Sequence, residues 1–358
     1  MKTTYFKASL ALVLCLSLSW LGQAQAAKRS IQKNFPLPAN GKVSIDNRYG
    51  SVKLAPWDKE EVQLRINIKV DAGKLERSEE IMEEIEIEFD TSANAVSAIT
   101  HIGDINRSWW TIGWGLFKST NINYSIDYVV QLPQSASMDI DNDYGGIFVE
   151  VTDGPAQLAC SYGSIEVGEL NHPDNDIDLQ YAPDSHIDFI QGGNIVADYS
   201  GLSINKAGKL QYAADYSKSE FEAVERLNFD ADYGKLSVGK AATIEGEADY
   251  LSIKIGQISQ ALDINMDYGG IQVRDIQAST ERVHLRSDYT GITLEAAADW
   301  EFQFEVETEY ASFKSDFPLD YRKKIIETTD RYYSGIHRSD RNSLNISADY
   351  GSVKLYKN

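Results

Sequence analysis

Cysteine is nearly absent from this chain: there are two in 358 residues. Cys15 falls in an apolar leader, so Cys160 stands alone in the mature chain and no intramolecular disulfide is available, even in an oxidising compartment. Long hydrophobic runs are absent too. Leu10–Leu18 is the longest, well short of the roughly 20 apolar residues that a spanning helix needs. Basic charge is scarce, with 34 Lys+Arg against 54 Asp+Glu. Nucleic-acid binding is therefore disfavoured, because phosphate recognition needs a basic footprint. There is no HExxH, no CxxC, no Gly-rich phosphate loop and no Gly-x-Ser-x-Gly elbow. His101, His172, His186, His284 and His337 are scattered and read as surface histidines, and no cofactor or metal is expected.

Residues 1–26 have the form of a secretory signal: Lys2 and Lys7, a short apolar stretch, then Ala24-Gln25-Ala26 as a small-x-small cleavage site. Cys15 follows Leu14 rather than a small residue, which argues against a lipoprotein. Removing the leader leaves 32 basic against 54 acidic residues, a formal balance of −22. Export to the periplasm or cell surface of a Gram-negative bacterium is the expected location.

What the chain has in abundance is a repeat. Tyr144, Tyr162, Tyr181, Tyr199, Tyr216, Tyr233, Tyr250, Tyr268, Tyr289 and Tyr310 recur every 17 to 21 residues, with Tyr49 and Tyr350 as outlying copies. The surrounding text recurs with them: Asn142-Asp-Tyr-Gly-Gly-Ile147, Ala231-Asp-Tyr-Gly-Lys-Leu236, Met266-Asp-Tyr-Gly-Gly-Ile271 and Ala348-Asp-Tyr-Gly-Ser-Val353. Strand side chains alternate between faces, so Leu262, Ile264 and Met266 point one way. After the tyrosine the phase slips by one, and Ile271 and Val273 become the inward pair. Each unit is then strand, corner, strand and return loop.

The pattern implies an all-β fold: a single parallel β-solenoid of stacked rungs, with a right-handed prior, because a unit this short cannot bury its apolar face alone. Stacking would set the tyrosines in a ladder along an inner corner. A carboxylate row, Asp143, Asp198, Asp215, Asp232, Asp249, Asp267, Asp288 and Asp349, would lie just outside it. Glycine after the tyrosine suits a corner that needs positive φ, and the preceding Asp can form an Asx-turn. Cys160 would fill a small inward slot.

Five segments follow: the signal at 1–26, a rung and N-terminal cap at 27–131, solenoid repeats at 132–314, a basic insertion at 315–343 and a terminal rung at 344–358. Within the cap, strands are expected over Val62–Val70, Ile85–Phe89 and Ile122–Leu132, and a helix over Leu75–Glu84. An insertion there carries Trp109, Trp110, Trp114 and Phe117, which reads either as packing across a flank or as a contact patch for a glycan, membrane interface or protein. The insertion at 315–343 carries Arg322, Lys323, Lys324, Arg331, Arg338 and Arg341 and is expected to fold back on the acidic row.

With the Tyr-Gly-x-Val-x-Leu rungs, the Glu-rich helix before Ile85-Glu-Ile-Glu-Phe89 and Tyr124-Ser-Ile-Asp-Tyr-Val-Val-Gln-Leu-Pro133, residues 40–356 resemble a bacterial family of exported β-strand-repeat proteins regarded as adhesins. That resemblance implies a β-helix-like fold and a non-enzymatic envelope role, a scaffold or adhesive rod contacting glycan or surface protein. It carries no catalytic motif. Three alternatives stand beside it. One is a carbohydrate-active β-helix enzyme, although the rungs display no obvious cluster of acids and bases. The others are weak Ca²⁺ binding along the carboxylate row, and self-association through an unpaired last rung.

Overall fold

The computed structural model describes residues 26–103 and 122–358. Among these residues the fold is all-β apart from one short helix. It runs through β1 (Ala26–Pro36), β2 (Lys42–Arg48), β3 (Val52–Trp57), β4 (Glu61–Asp71), α1 (Leu75–Glu83), β5 (Ile85–Thr91), β6 (Ala95–Ile102) and β7 (Asn123–Pro133). The repeats follow as β8 (Ser137–Asp143), β9 (Gly146–Thr152), β10 (Ala156–Ser161), β11 (Ser164–Leu170), β12 (Asn175–Gln180), β13 (Ser185–Asp198), β14 (Gly201–Asp215), β15 (Lys218–Ile276) and β16 (Arg282–Ala296). The last elements are β17 (Phe302–Glu309), β18 (Ser312–Ser315), β19 (Asp320–Ile326), β20 (Asp330–His337), β21 (Asn342–Asp349) and β22 (Ser352–Lys357). The helix and cap strands lie within two residues of the expected bounds. All 22 strands join one large hydrogen-bonded sheet.

Each arm of a repeat pairs, parallel and in register, with the same arm of the repeats beside it. Leu158 on β10 lies between Ile140 on β8 and Ile177 on β12, and Ile165 on β11 lies beside Ile147 on β9. Ile264 likewise pairs with Leu285 and Ile271 with Ile292. The alternation expected from the sequence holds: Leu262, Ile264, Met266, Ile271 and Val273 are all buried, as is Cys160. Near the first repeats the inward slot turns polar. Asn47 donates to Asn142 Oδ1 at 2.9 Å and accepts from Thr100 Oγ1 at 3.1 Å, so that buried column is hydrogen-bonded rather than apolar.

The corner differs from expectation in three ways. The positive φ falls on the tyrosine: all twelve corner tyrosines have φ between 48° and 60°, and of the glycines that follow them only Gly269 is also positive. That left-handed turn is where the phase slips, and it throws the ring outward. The tyrosines do form a ladder, with successive rings parallel from Tyr49 to Tyr289 and centroids 4.7–5.0 Å apart. The ladder runs along the outside of the corner, however, with Tyr216 53% exposed and Tyr268 41%.

Where glycine follows the tyrosine, close approach of the adjacent repeat accounts for it: a Cβ on Gly163 would lie 1.9 Å from the Gly145 carbonyl oxygen. Where serine replaces it, Ser200 and Ser217 are buried, and the backbone N–H of Ser200 donates to Ser217 Oγ at 2.9 Å. The Ala182 N–H donates likewise to Ser200 Oγ. The Ser200 amide is the one two residues beyond Asp198 and is already taken by the neighbouring repeat, so the expected Asx-turn does not form at that corner. Asp198 and Asp232 instead accept from the backbone N–H of Asp215 and Asp249 on the next repeat.

Both ends depart from sequential stacking. The first repeat lies inside the stack, β2 between β6 and β8, and β3 between β7 and β9. Antiparallel partners extend beyond it: β5 on β6, then β4 on β7 and β1 on β4. At the other end β21 is paired on both sides, with β16 and β17, and β22 with β16 and β18. The ring order is accordingly Tyr289, Tyr350, Tyr310. The expected open last rung is therefore incorrect, since that rung is interior. The basic insertion forms the hairpin β19–β20, which adds antiparallel to β17 instead of lying on the aspartate row.

If tyrosine pays a left-handed penalty that glycine does not, Tyr233→Ala is expected to be less stable than Tyr233→Gly by about 1 kcal/mol, although both lose the same stacking. Comparing their urea midpoints checks this; equal stability would mean that the strained turn is not at the tyrosine.

Candidate functional site

The outward positions three, five and seven residues before each tyrosine line one face of the sheet. On β13, β14 and β15 the middle column presents Asn194, Gln211 and Asn228, each paired with the next across adjacent strands. The same column continues at Glu245, Asp263 and His284, which pairs with Asp263 on one side and with Asn345 on the other. Arg282 and Arg286 flank His284 two residues to either side. Together they line a groove of about 620 Å³, and Asn194 and Gln211 are shared with an adjoining groove of about 570 Å³ that reaches Lys42. Packing beneath shapes the wall. A Cβ on Gly246 would lie 2.4 Å from the Phe229 ring, so Phe229 fills the space that a side chain there would need.

The charged end is a mixed cluster that sequence spacing concealed, because Glu245, Asp263 and Arg282 are separated by 18 and 19 residues. Arg282 Nη2 is 3.7 Å from both Glu245 Oε1 and Asp263 Oδ2, and His284 Nδ1 is 3.5 Å from Asp263 Oδ1. The expectation that no acid–base cluster exists in the repeats is thus corrected. These contacts are long and partly exposed, so each contributes little to stability and leaves the groups available to a ligand.

The same face gathers the acidic columns. Asp141, Asp178, Asp215, Asp249 and Asp288 all titrate above the ordinary 3.8, through desolvation first and then through neighbouring carboxylates. Burial, reinforced by Asp143 and Asp141, pushes the Cys160 thiol up to about 12, which makes it a packing residue and no nucleophile. Among the described residues, no group of three or more His, Cys, Asp or Glu is placed to hold a metal ion.

Of the other sequence candidates, Trp109, Trp110, Trp114 and Phe117 lie outside the described residues. His101 is exposed, and His172, His186 and His284 are half-buried. His337 contradicts the surface reading. It is buried against Phe302 and Phe317, and its Nδ1 donates to the Pro318 carbonyl at 2.9 Å. The β19–β20 hairpin brings Pro318 over it, a tertiary contact invisible in the local sequence.

No family model and no curated protein matches the chain. Solved structures with a similar trace include a candidate cell adhesion protein from Clostridium sporogenes, 11% identical over 92% of this chain and 100% of that one, TM-score 0.18. A candidate adhesin from Parabacteroides merdae is 9% identical over 77% and 94%, TM-score 0.32. A candidate lipid binding protein from Parabacteroides distasonis is 12% identical over 93% and 98%, TM-score 0.33. At these scores the likeness carries no argument about this chain. No helix among the described residues is long and apolar enough to cross a membrane.

The raised carboxyls imply a pH dependence. A group held above its unfolded value favours the folded state when protonated; that contribution is full below the ordinary 3.8 and is lost as pH rises through the folded value. Melting temperature at low ionic strength is therefore expected to be higher near about pH 4.5 than at about pH 7, with the difference shrinking in about 0.5 M salt. Scanning calorimetry at both pH values tests this, and a lower value at acid pH counts against carboxylate repulsion.

Proposed function

We propose that this chain is an exported, non-catalytic adhesive rod of the bacterial envelope. In this reading the parallel repeats wind as one solenoid, and an extended glycan lies along the groove from Asn194 to Arg286. The observation that carries the reading is the amide column Asn194, Gln211, Asn228 leading into Glu245, Asp263, Arg282 and His284. Backbone N–H and C=O groups along this face are already paired with repeats on both sides, so a ligand meets side chains only and cannot add as a strand. Amides both donate and accept, which suits hydroxyls, and they recur at the strand spacing of about 4.8 Å. A periodic groove of this kind matches a polymer of sugars better than an irregular protein surface. Trp109, Trp110, Trp114 and Phe117 form the second proposed contact.

A second reading, a carbohydrate-active enzyme, is favoured by one feature: the convergence of Glu245, Asp263, Arg282 and His284. The carboxylates and the histidine are loosely held and partly exposed, whereas general acid–base work relies on groups positioned by their surroundings. That difference favours binding over catalysis.

On a glycan array, Asn228→Ala with Arg282→Ala is expected to weaken binding at least about tenfold, a loss of about 1.4 kcal/mol, without lowering the melting temperature. Replacing Trp109, Trp110 and Trp114 with alanine separates the two surfaces. Binding unchanged by the groove pair would remove the groove reading, and release of reducing ends or unsaturated products from a polysaccharide panel would favour the enzyme.

A further inference from the structure

The two ends of the groove-bearing sheet are unlike each other. Among the described residues, the sheet stops at one end at β5, which pairs only with β6, and at the other at β19, which pairs only with β20. Each is seven residues long and, among the described residues, leaves one row of backbone N–H and C=O groups without a strand partner, although the Ile85 carbonyl on β5 accepts from the Arg29 guanidinium. Such edges are templates for further pairing.

Their charges are opposite. β5 exposes Glu86, Glu88 and Asp90, with Glu88 also contacting His101 Nε2 at 2.7 Å, and α1 beside it adds Glu76, Glu79, Glu80 and Glu83. β19 is exposed along its whole length and carries Arg322, Lys323 and Lys324, with Ile326 59% exposed. Lysine on an edge ordinarily blocks indiscriminate pairing. The remaining edges do not suit it as a partner: β1 carries Lys28, Arg29 and Lys33, and β18 is four residues long.

Direction agrees as well. β5 runs opposite to β6, and β6 runs with the repeats; β20 runs opposite to β17 and β19 opposite to β20, so β19 runs with the repeats. Two copies placed end to end therefore present β19 and β5 antiparallel to each other, the more stable ladder. The half-buried Ile87 and Phe89 alternate with the acids of β5, as Tyr321 and the isoleucines accompany the bases of β19.

We propose that copies of this chain associate head to tail, with β19 of one copy adding antiparallel to β5 of the next and joining their sheets. The contact is heterologous, so it propagates rather than closing as a symmetric dimer. A seven-residue ladder is a small interface, so association is weak and, being charge-steered, salt-sensitive.

Sedimentation or light scattering of the purified protein over a concentration series tests this. At about 0.05 M salt the weight-average mass is expected to rise with concentration, and at about 0.5 M to fall back toward the monomer. Lys323→Glu with Lys324→Glu makes both edge strands acidic, and Glu86→Lys with Glu88→Lys makes both edge strands basic; each variant alone is expected to stay monomeric. Mixing the two restores complementary ends and is expected to restore association. All four positions are exposed, and a circular dichroism spectrum like that of the unmodified protein verifies each fold. Constant monomer mass in the unmodified protein, undiminished self-association in either variant, or a mixture that stays monomeric would each overturn the proposal.

Discussion

The left-handed backbone turn at tyrosine, repeated at twelve corners, sets the geometry on which the rest depends. Placing a residue with a Cβ at φ near 50° costs about 1 kcal/mol. Glycine or asparagine would adopt the turn more cheaply, yet tyrosine occupies every one. The compensation is mutual: each ring thrown outward by the turn lies flat on the rings of the repeats on either side, and such aromatic pairs contribute about 1 kcal/mol apiece. Stacking along the corner offsets the strain only if neighbouring repeats are in register. The ladder thereby ties the local conformation of each corner to the alignment of the whole sheet.

Register in turn accounts for the chemistry of the outward face. When equivalent positions align, any residue type recurring in the repeat becomes a column, and columns of like charge repel. The carboxyls of Asp215, Asp249 and Asp288 show the effect in their upward-shifted titration. Alignment also creates local mixtures where the repeat varies. Arg282 and His284 fall beside Glu245 and Asp263 because of neighbouring positions in the ladder, across 19 to 39 residues of chain. Saturated backbone pairing leaves side chains as the only contact surface along the flank, while the sheet's unpaired edges are confined to its ends.

Much of the interior was legible. Alternation identified Leu262, Ile264, Met266, Ile271, Val273 and Cys160 as inward, and the helix at Leu75–Glu83 was visible in its apolar spacing. The tyrosine's own direction was misjudged, because counting back by twos assumes that the tyrosine continues the strand. A turn of positive φ at that residue reverses its side chain without altering the parity of those before it. Glycine suits the turn on conformational grounds, whereas at corners such as Gly163 the neighbouring repeat's carbonyl is what leaves no room for a side chain. The charged end of the groove was missed because its members are dispersed in sequence, and burial of His337 depends on a hairpin folding over it.

By itself the sequence determined the period of the repeat, the inward face of each arm and the acidic character of the molecule. All three depend on residue order within about twenty positions, where side-chain alternation and composition act directly. The order in which the repeats stack was decided by tertiary structure. The repeat around Tyr350 has the same local signature as the others, yet it lies between those of Tyr289 and Tyr310. The first repeat is likewise enclosed by β6 and β8. Identical units offer nearly identical ladders to any neighbour, so local pattern cannot rank the pairings. Long-range closure, by the antiparallel strands that cover each end, selects among them.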